Sequence, residues 1–158
     1  MNFIDGTIDE IVYRKLKKFD DARGWLMEVF RADEIDKGFL PAMAYLSVTH
    51  PGIVRGPHEH RDQADLFCFP GPSNFKIYTW DNREDSKTYK TRQVFTAGED
   101  TPAILIVPGG IVHAYKNIGD RDGLVINCPN RLFKGEGRTG DVDEVRYEDI
   151  EDSPFKLD

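Results

Sequence analysis

Apolar positions along this chain recur in short runs and two-residue alternations, each closed by a turn composition and hardly ever at helical spacing. Ile8 to Phe19 alternates loosely and carries a Lys17-Lys18 pair near its end, which predicts an early strand with a basic outward face. Asp20-Asp21-Ala22-Arg23-Gly24 has the composition of a turn and feeds a strand from Trp25 to Phe30. Arg31 to Gly38 is polar with Ile35 alone apolar, so a short helical turn closed by Gly38 is expected there. Met43 to Val48 resumes an extended pattern. Leu66-Phe67-Cys68-Phe69 reads as an apolar strand stopped by Pro70-Gly71-Pro72. Phe75, Ile77 and Thr79 then alternate with Lys76, Tyr78 and Trp80, and after a charged turn from Asp81 to Ser86 a strand runs from Tyr89 to Phe95, with Val94 and Phe95 toward the core. Ile104 to Val107 reads as a buried strand and Leu124 to Ile126 as a last one, ahead of a polar, glycine-rich surface loop from Asn130 to Gly140. This rhythm predicts an all-β double-sheet barrel or jelly roll with few short helices.

At 158 residues the chain suits one domain, residues 1–158, with a core of useful size. No apolar run approaches the roughly 20 residues of a membrane-spanning helix, so no membrane partner is expected. Met1 to Lys18 lacks the apolar stretch of a secretory signal, which makes the cytoplasm the expected compartment, with Cys68 and Cys128 as reduced thiols. A net charge of −7 argues against a nucleic-acid partner. The acidity concentrates between Asp141 and Asp158, so an anionic small molecule remains compatible with the rest of the chain.

Candidate chemistry gathers in two places. Three of the four histidines lie in Arg55-Gly56-Pro57-His58-Glu59-His60 and Pro108-Gly109-Gly110-Ile111-Val112-His113. His58 and His60 are two apart, so on a strand both imidazoles face one side, and the Pro-Gly-Gly turn can swing His113 in to join them. The spacings Gly52-x5-His58-x-His60-x4-Asp65 and Pro108-x-Gly110-x2-His113-x3-Asn117 resemble the two cupin motifs, with Asp65 where a glutamate is usual and Pro102 where a glycine is expected. Two kinds of chemistry fit such a set. A histidine can serve as a base beside a ketone, or His58, His60, Asp65 and His113 can ligate one divalent transition metal, in which case His58 is no longer free to take a proton.

Within the cupins the chain resembles the dTDP-4-dehydrorhamnose 3,5-epimerases, over most of its length. Asp21-x-Arg23-Gly24-x3-Glu28 looks like the family's D-x-R-G segment, which implies that Arg23 and Glu28 help hold the nucleotide. Arg55-Gly56-x-His58 looks like its R-G-x-H, implying Arg55 on the diphosphate and His58 as the catalytic base. Asp81-x-Arg83-x2-Ser86 matches a structural turn, and Pro108 to His113 the segment bearing the second active-site histidine. Val145-Arg146-Tyr147-Glu148-Asp149 looks like I-R-W-N-D, whose aspartate orients the base, a role that falls to Asp149. His60 and His113 then join Arg23, Glu28 and Arg55 as substrate contacts. The departures fall on the chemistry. The family's lysine beyond the histidines is Asp65, and its acid tyrosine after Cys128 is missing from Pro129-Asn130-Arg131-Leu132. The glutamine and asparagine that help bind the base align with Met43 and Tyr45.

The resemblance implies a nucleotide-sugar partner, a dTDP-4-keto-6-deoxyhexose, with no cofactor, in an epimerase or ketoisomerase of cell-surface carbohydrate synthesis. A metal-dependent cupin enzyme on another small molecule and a catalytically silent sugar-nucleotide binder are the alternatives. It also implies a homodimer, with the N-terminal strand exchanged and the Arg23–Glu28 segment reaching the neighbour's site.

Overall fold

The computed structural model describes residues 2–158. In chain order its strands are β1 (Ile4–Asp5), β2 (Val12–Lys15), β3 (Lys18–Asp21), β4 (Gly24–Met27), β5 (Tyr45–Thr49), β6 (Val54–Glu59), β7 (Asp65–Phe69), β8 (Asn74–Asp81), β9 (Thr91–Gly98), β10 (Ala103–Val107), β11 (Ile111–Asn117), β12 (Gly123–Asn127) and β13 (Val145–Arg146). One sheet runs β1-β9-β8-β11-β6-β13 and faces a second that runs β2-β10-β7-β12-β5, while β3 and β4 form a separate hairpin. This is the all-β jelly roll that the pattern of short strands predicts. The one helical element among the described residues is a single 3-10 turn, Glu136–Arg138, within the loop expected from Asn130 to Gly140.

The main core fills the space between the sheets with Phe67, Phe69, Leu105 and Val125 from one and Phe75, Ile77, Ile111 and Tyr115 from the other. Both sheets are also covered on their outer faces. Ile35 and Phe39 lie over Leu66, Cys68, Ile104 and Ile106, and Phe155 packs on Tyr78, Trp80 and Val112. Strands roofed on both sides need apolar residues at every position, and this accounts for the unbroken runs Leu66–Phe69 and Ile104–Val107. Trp80 is therefore a core residue, stacked on Tyr78 at 6.0 Å between ring centres.

Several local expectations are corrected. Ile8 to Phe19 is not one strand: Ile8 is buried ahead of β2, and the chain breaks at Leu16-Lys17 before β3. The strand expected from Trp25 to Phe30 ends at Met27, and Val29 and Phe30 turn to cover the second sheet. Arg31 to Gly38 forms isolated turns, closed by Glu34 N–H to Arg31 O at 3.0 Å and Phe39 N–H to Asp36 O at 2.9 Å, instead of a helical turn. Burying Ile35 and Phe39 on one sheet fixes their positions better than helical hydrogen bonds would. Val94 is exposed while Phe95 packs on the core, because adjacent strand residues point to opposite faces.

Two local devices position the histidines. In the β6–β11 ladder His58 faces His113 and Arg55 faces Tyr115, so three steps on β6 span two on β11. This one-residue bulge turns Arg55 and His58 to the same face, although an odd spacing would otherwise set them on opposite sides. Gly56 lies within the bulge at φ +84°, where a Cβ would come 2.6 Å from the His113 carbonyl oxygen. The second device is the Pro108-Gly109-Gly110 turn. Gly110 N–H donates to His60 O at 2.7 Å, which ties the two histidine segments together at the barrel mouth.

Candidate active site

β6, the residue just beyond it and β11 bring His58, His60 and His113 together, with the rings of His58 and His113 centred 4.5 Å apart and donor nitrogens of all three within 4.8 Å of one another. Asp65 enters from β7 on the facing sheet and is only 1 % exposed. Its Oδ2 lies 3.2 Å from His60 Nε2 and 3.7 Å from His113 Nε2, and its Oδ1 accepts from Gln63 Nε2 and Asn127 Nδ2, both at 3.0 Å. His60 Nδ1 meets the Asp143 carbonyl, and His113 Nδ1 faces the Ile111 carbonyl at 3.1 Å. With carbonyl acceptors on Nδ1, both rings carry their proton there, and His113 Nε2 is left as a buried nitrogen without a hydrogen-bond partner.

Charge is distributed unevenly over this cluster. Burial opposes a charged His60, but the hydrogen bond and charge of Asp65, with the Asp143 carbonyl, hold its pKa above the usual histidine value. Burial equally opposes ionised Asp65, yet His60, the facing His113 and Asn127 outweigh it and hold the carboxyl below the usual range. His60 and Asp65 thus form a buried ion pair. Burial, reinforced by the neighbouring His113 and His60, pushes His58 down to about 2, and burial also lowers His113. The Asp65 carboxylate is accordingly matched by the His60 imidazolium.

The remaining sequence candidates divide. Arg55 lies on the same face of β6 as His58, its guanidinium fixed by Nε to Thr49 Oγ1 at 2.9 Å and by Nη2 to the Val48 carbonyl at 2.8 Å. Arg23 and Glu28 are not brought to the histidines of their own chain. Arg23, at the β3–β4 turn, has a side chain 90 % exposed and pairs with Asp21 at 2.7 Å, and Glu28 faces Arg31 at 3.6 Å. Asp149 is exposed, and the acid nearest His58 is Glu148, with Oε1 4.0 Å from Nδ1. Arg146 stands opposite His58 in the β13–β6 ladder, and β13 ends there; the chain then bends, with Tyr147 and Glu148 N–H groups both donating to the Pro57 carbonyl, and this turn brings Glu148 to His58.

Two further residues escaped the sequence reading. Glu148 sits in the turn after β13, where no period along the chain marks it. Asp143 had no signal: its carboxylate accepts the backbone N–H groups of Arg61, Asp62 and Gln63, each at 2.9 Å, and so latches the C-terminal segment over the loop after His60. A surface cleft of about 350 Å³ at Phe3, Trp80, Arg92 and Leu157 opens on the outer face of the first sheet, behind the sheet that carries the histidines.

The sequence profile of the dTDP-4-dehydrorhamnose 3,5-epimerase family matches residues 5–146. The chain belongs to this family. It is 38 % identical over 141 residues, 89 % of its own length and 87 % of the relative's, to a probable low-salt glycan biosynthesis epimerase, Agl13, of Haloferax volcanii. It is 37 % identical over 114 residues, 72 % of its length and 74 % of the relative's, to the spore coat polysaccharide biosynthesis protein SpsL of Bacillus subtilis. Its fold matches a dTDP sugar isomerase from Desulfovibrio desulfuricans with a TM-score of 0.80 at 22 % identity, covering 94 % of this chain and 91 % of that one. It also matches an epimerase from Legionella pneumophila solved with dTDP-4-keto-L-rhamnose, with a TM-score of 0.76 at 18 % identity, covering 98 % and 84 % of the two chains.

The uneven protonation has a sign that can be measured. In metal-free protein His58 stays neutral on acidification, whereas the unfolded chain takes up its proton near pH 6.5, so stability falls as pH falls below that value, by about 1.4 kcal/mol per pH unit. His113 acts in the same direction. His60, with its raised pKa, contributes stability that is complete below pH 6.5 and is lost as pH rises through its folded value, and Asp65 contributes stability lost only as pH falls below about 3.9. Between pH 6 and 4.5 the first two dominate. Urea unfolding of chelator-treated protein should show stability declining over that interval, and His58→Asn should lessen the slope by about 1.4 kcal/mol per pH unit. An unchanged slope in the variant would mean that His58 is protonated in the fold.

Proposed function

We propose that this protein is an epimerase of a dTDP-linked 4-keto-6-deoxyhexose, acting in cell-surface carbohydrate synthesis. The observation that carries the reading is the bulge at Gly56, which puts Arg55 and His58 on the same face of β6. Arg55 offers planar, charge-assisted hydrogen bonds to a diphosphate, and His58 offers an unprotonated nitrogen to the carbon acid next to a ketone. Proton transfer makes an imidazolium and an enolate together. Their mutual attraction, with Glu148 4.0 Å from Nδ1, offsets the burial that holds the free imidazole neutral. The His60–Asp65 pair, which bridges the two sheets, leaves the Asp65 charge compensated as the enolate forms.

Two properties complete the proposal. The β3–β4 hairpin exposes Trp25 by 52 % and Leu26 by 62 %, and a two-stranded hairpin has little stability without a surface to pack on. A second copy of the chain supplies that surface, which carries Arg23 and Glu28 toward the partner's nucleotide. The buried free thiols Cys68 and Cys128 suit a reducing compartment, and the cytoplasm is the proposed location. Among the described residues no helix is long and apolar enough to cross a membrane.

The test is solvent deuterium uptake beside the ketone of dTDP-4-keto-6-deoxyglucose. Wild-type protein should bind dTDP, with a thermal shift, and exchange that hydrogen. His58→Asn should keep the shift and lose exchange by roughly a hundredfold or more. Exchange at the wild-type rate in the variant would remove His58 as the base. For the dimer, light scattering at micromolar concentration should give twice the chain mass of 18.1 kDa, and a monomer would sink that part of the proposal.

A second reading is favoured by the unpartnered nitrogens His113 Nε2 and His58 Nδ1 within a cluster of three imidazoles and a carboxylate. His58, His60 and His113, with Asp65, have the donor types of a site for one divalent transition metal, which would supply Lewis acidity toward a ketone oxygen. The short His60–Asp65 contact weighs for the metal-free state, because His60 Nε2 is already committed as a donor. Protein purified without chelator or nickel resin should contain far less than one zinc, iron or manganese per chain. A stoichiometric metal would make His58 a ligand and overturn its role as base.

A further inference from the structure

Inverting a carbon beside a ketone takes two protons handled from opposite sides: one removed by the base, the other delivered to the far face of the flattened enolate. His58 stands on the β6–β11 wall, so the donor belongs on the facing sheet, roughly 10 Å away, with a sugar ring between them. The six tyrosines can be sorted by this requirement. Tyr13 and Tyr78 donate to main-chain carbonyls, of Thr96 and Asp158, each at 2.9 Å. Tyr147 donates to Glu59 Oε1 at 2.9 Å on the outer side of β6, and Tyr89 lies in the turn between β8 and β9. Tyr115 is on β11, the same wall as His58, with its ring among Phe67, Phe69 and Phe75 and its hydroxyl 3.3 Å from Ser47 Oγ.

Tyr45 differs from all of these. It opens β5 on the facing sheet, directly opposite Asn127 of β12 in the ladder, and it is half-exposed at the rim. Strand alternation places it on the inner face with Ser47 and Thr49, while Leu46 and Val48 point outward. Asn127 Nδ2 donates to the Tyr45 hydroxyl at 2.8 Å and also to Asp65 Oδ1 at 3.0 Å. The phenol oxygen is thereby an acceptor in the network, and its own proton is committed to no protein group. Burial, opposed by the Asn127 hydrogen bond and reinforced by the charge of Asp65, raises the Tyr45 pKa, so the phenol keeps its proton at neutral pH.

We infer that Tyr45 is the catalytic acid of this site, delivering its phenolic proton to the face of the enolate opposite His58; the inference rests on the epimerase reading above. In the first half of the reaction His58 takes the proton beside the ketone, the C–H pair becomes the enolate C=C, and the carbonyl π pair moves to oxygen. In the second half the carbonyl re-forms and the C=C pair takes the Tyr45 proton, leaving the O–H pair on the phenolate. Solvent then reprotonates Tyr45 and removes the proton from His58, so nothing else is consumed.

The experiment follows deuterium uptake and configuration together, by NMR, in dTDP-4-keto-6-deoxyglucose incubated with wild-type and Tyr45→Phe protein in D2O. Phenylalanine keeps the ring, and an unchanged melting temperature with an unchanged dTDP-induced shift checks that the fold and the nucleotide site persist. Uptake in the variant should stay within about threefold of wild type while inversion falls by roughly a hundredfold or more, so that deuterated sugar of unchanged configuration accumulates. A merely structural role for Tyr45 would reduce both rates alike, and that result overturns the inference. Inversion by the variant at the wild-type rate overturns it as well, with the epimerase reading intact. If wild-type protein binds dTDP but shows neither uptake nor inversion, the epimerase reading falls and this inference falls with it.

Discussion

One extra residue in β6 is the constraint on which the site depends. Antiparallel pairing alternates side chains strictly, so Arg55 and His58, three positions apart, would face opposite sides of a regular ladder. The bulge at Gly56 reverses that parity between His113 and Tyr115 of β11 and brings both side chains to the inner face. The backbone there runs so close to the His113 carbonyl that no Cβ fits, which makes glycine the residue the geometry requires. With the parity set, Pro57 and Glu59 fall on the outer face. There the main chain of Pro57 receives Tyr147 and Glu148 N–H groups, and the Glu59 carboxylate accepts from Tyr147 and Asn82.

The same ladder concentrates three imidazoles in a space where water cannot screen them, and their protonation states must then differ. Asp65 compensates one positive charge, and His60, clamped between that carboxylate and the Asp143 carbonyl, is the ring placed to carry it. Burial, with His60 already charged beside them, lowers the pKa of both His58 and His113 and leaves them neutral. A proton acceptor and a fixed ion pair thus arise from one cluster, by position within it. The C-terminal segment contributes through its backbone pairing with β6 and through the carboxylates of Asp143, on the loop after His60, and Glu148, near His58.

Much of the architecture was legible along the chain. Short strands, their turns and the double-sheet class follow from two-residue alternation and from Pro-Gly punctuation. The meeting of His58, His60 and His113 follows from spacing plus the turn before Ile111. The places where the reading failed share a cause. Arg31 to Gly38 looked helical because its polar residues suit a helix surface, but Ile35 and Phe39 are spent covering Leu66 and Ile104, residues far away in sequence. Val94 and Phe95 could not both face inward, and only the pairing of β9 with β8 says which does.

The sequence by itself determined which side chains could do chemistry and roughly where the chain turns, since residue type and local period depend on neighbours in the chain. Tertiary structure decided which of those side chains meet. The turn after β13 brings Glu148 beside His58, and the bulge puts Arg55 on the same face as His58. The pairing of β5 with β12 puts the Tyr45 hydroxyl on Asn127 and, through it, on Asp65. The last two are choices between two faces of a strand, and a face is defined only by the partner strand, which lies up to some 80 residues away.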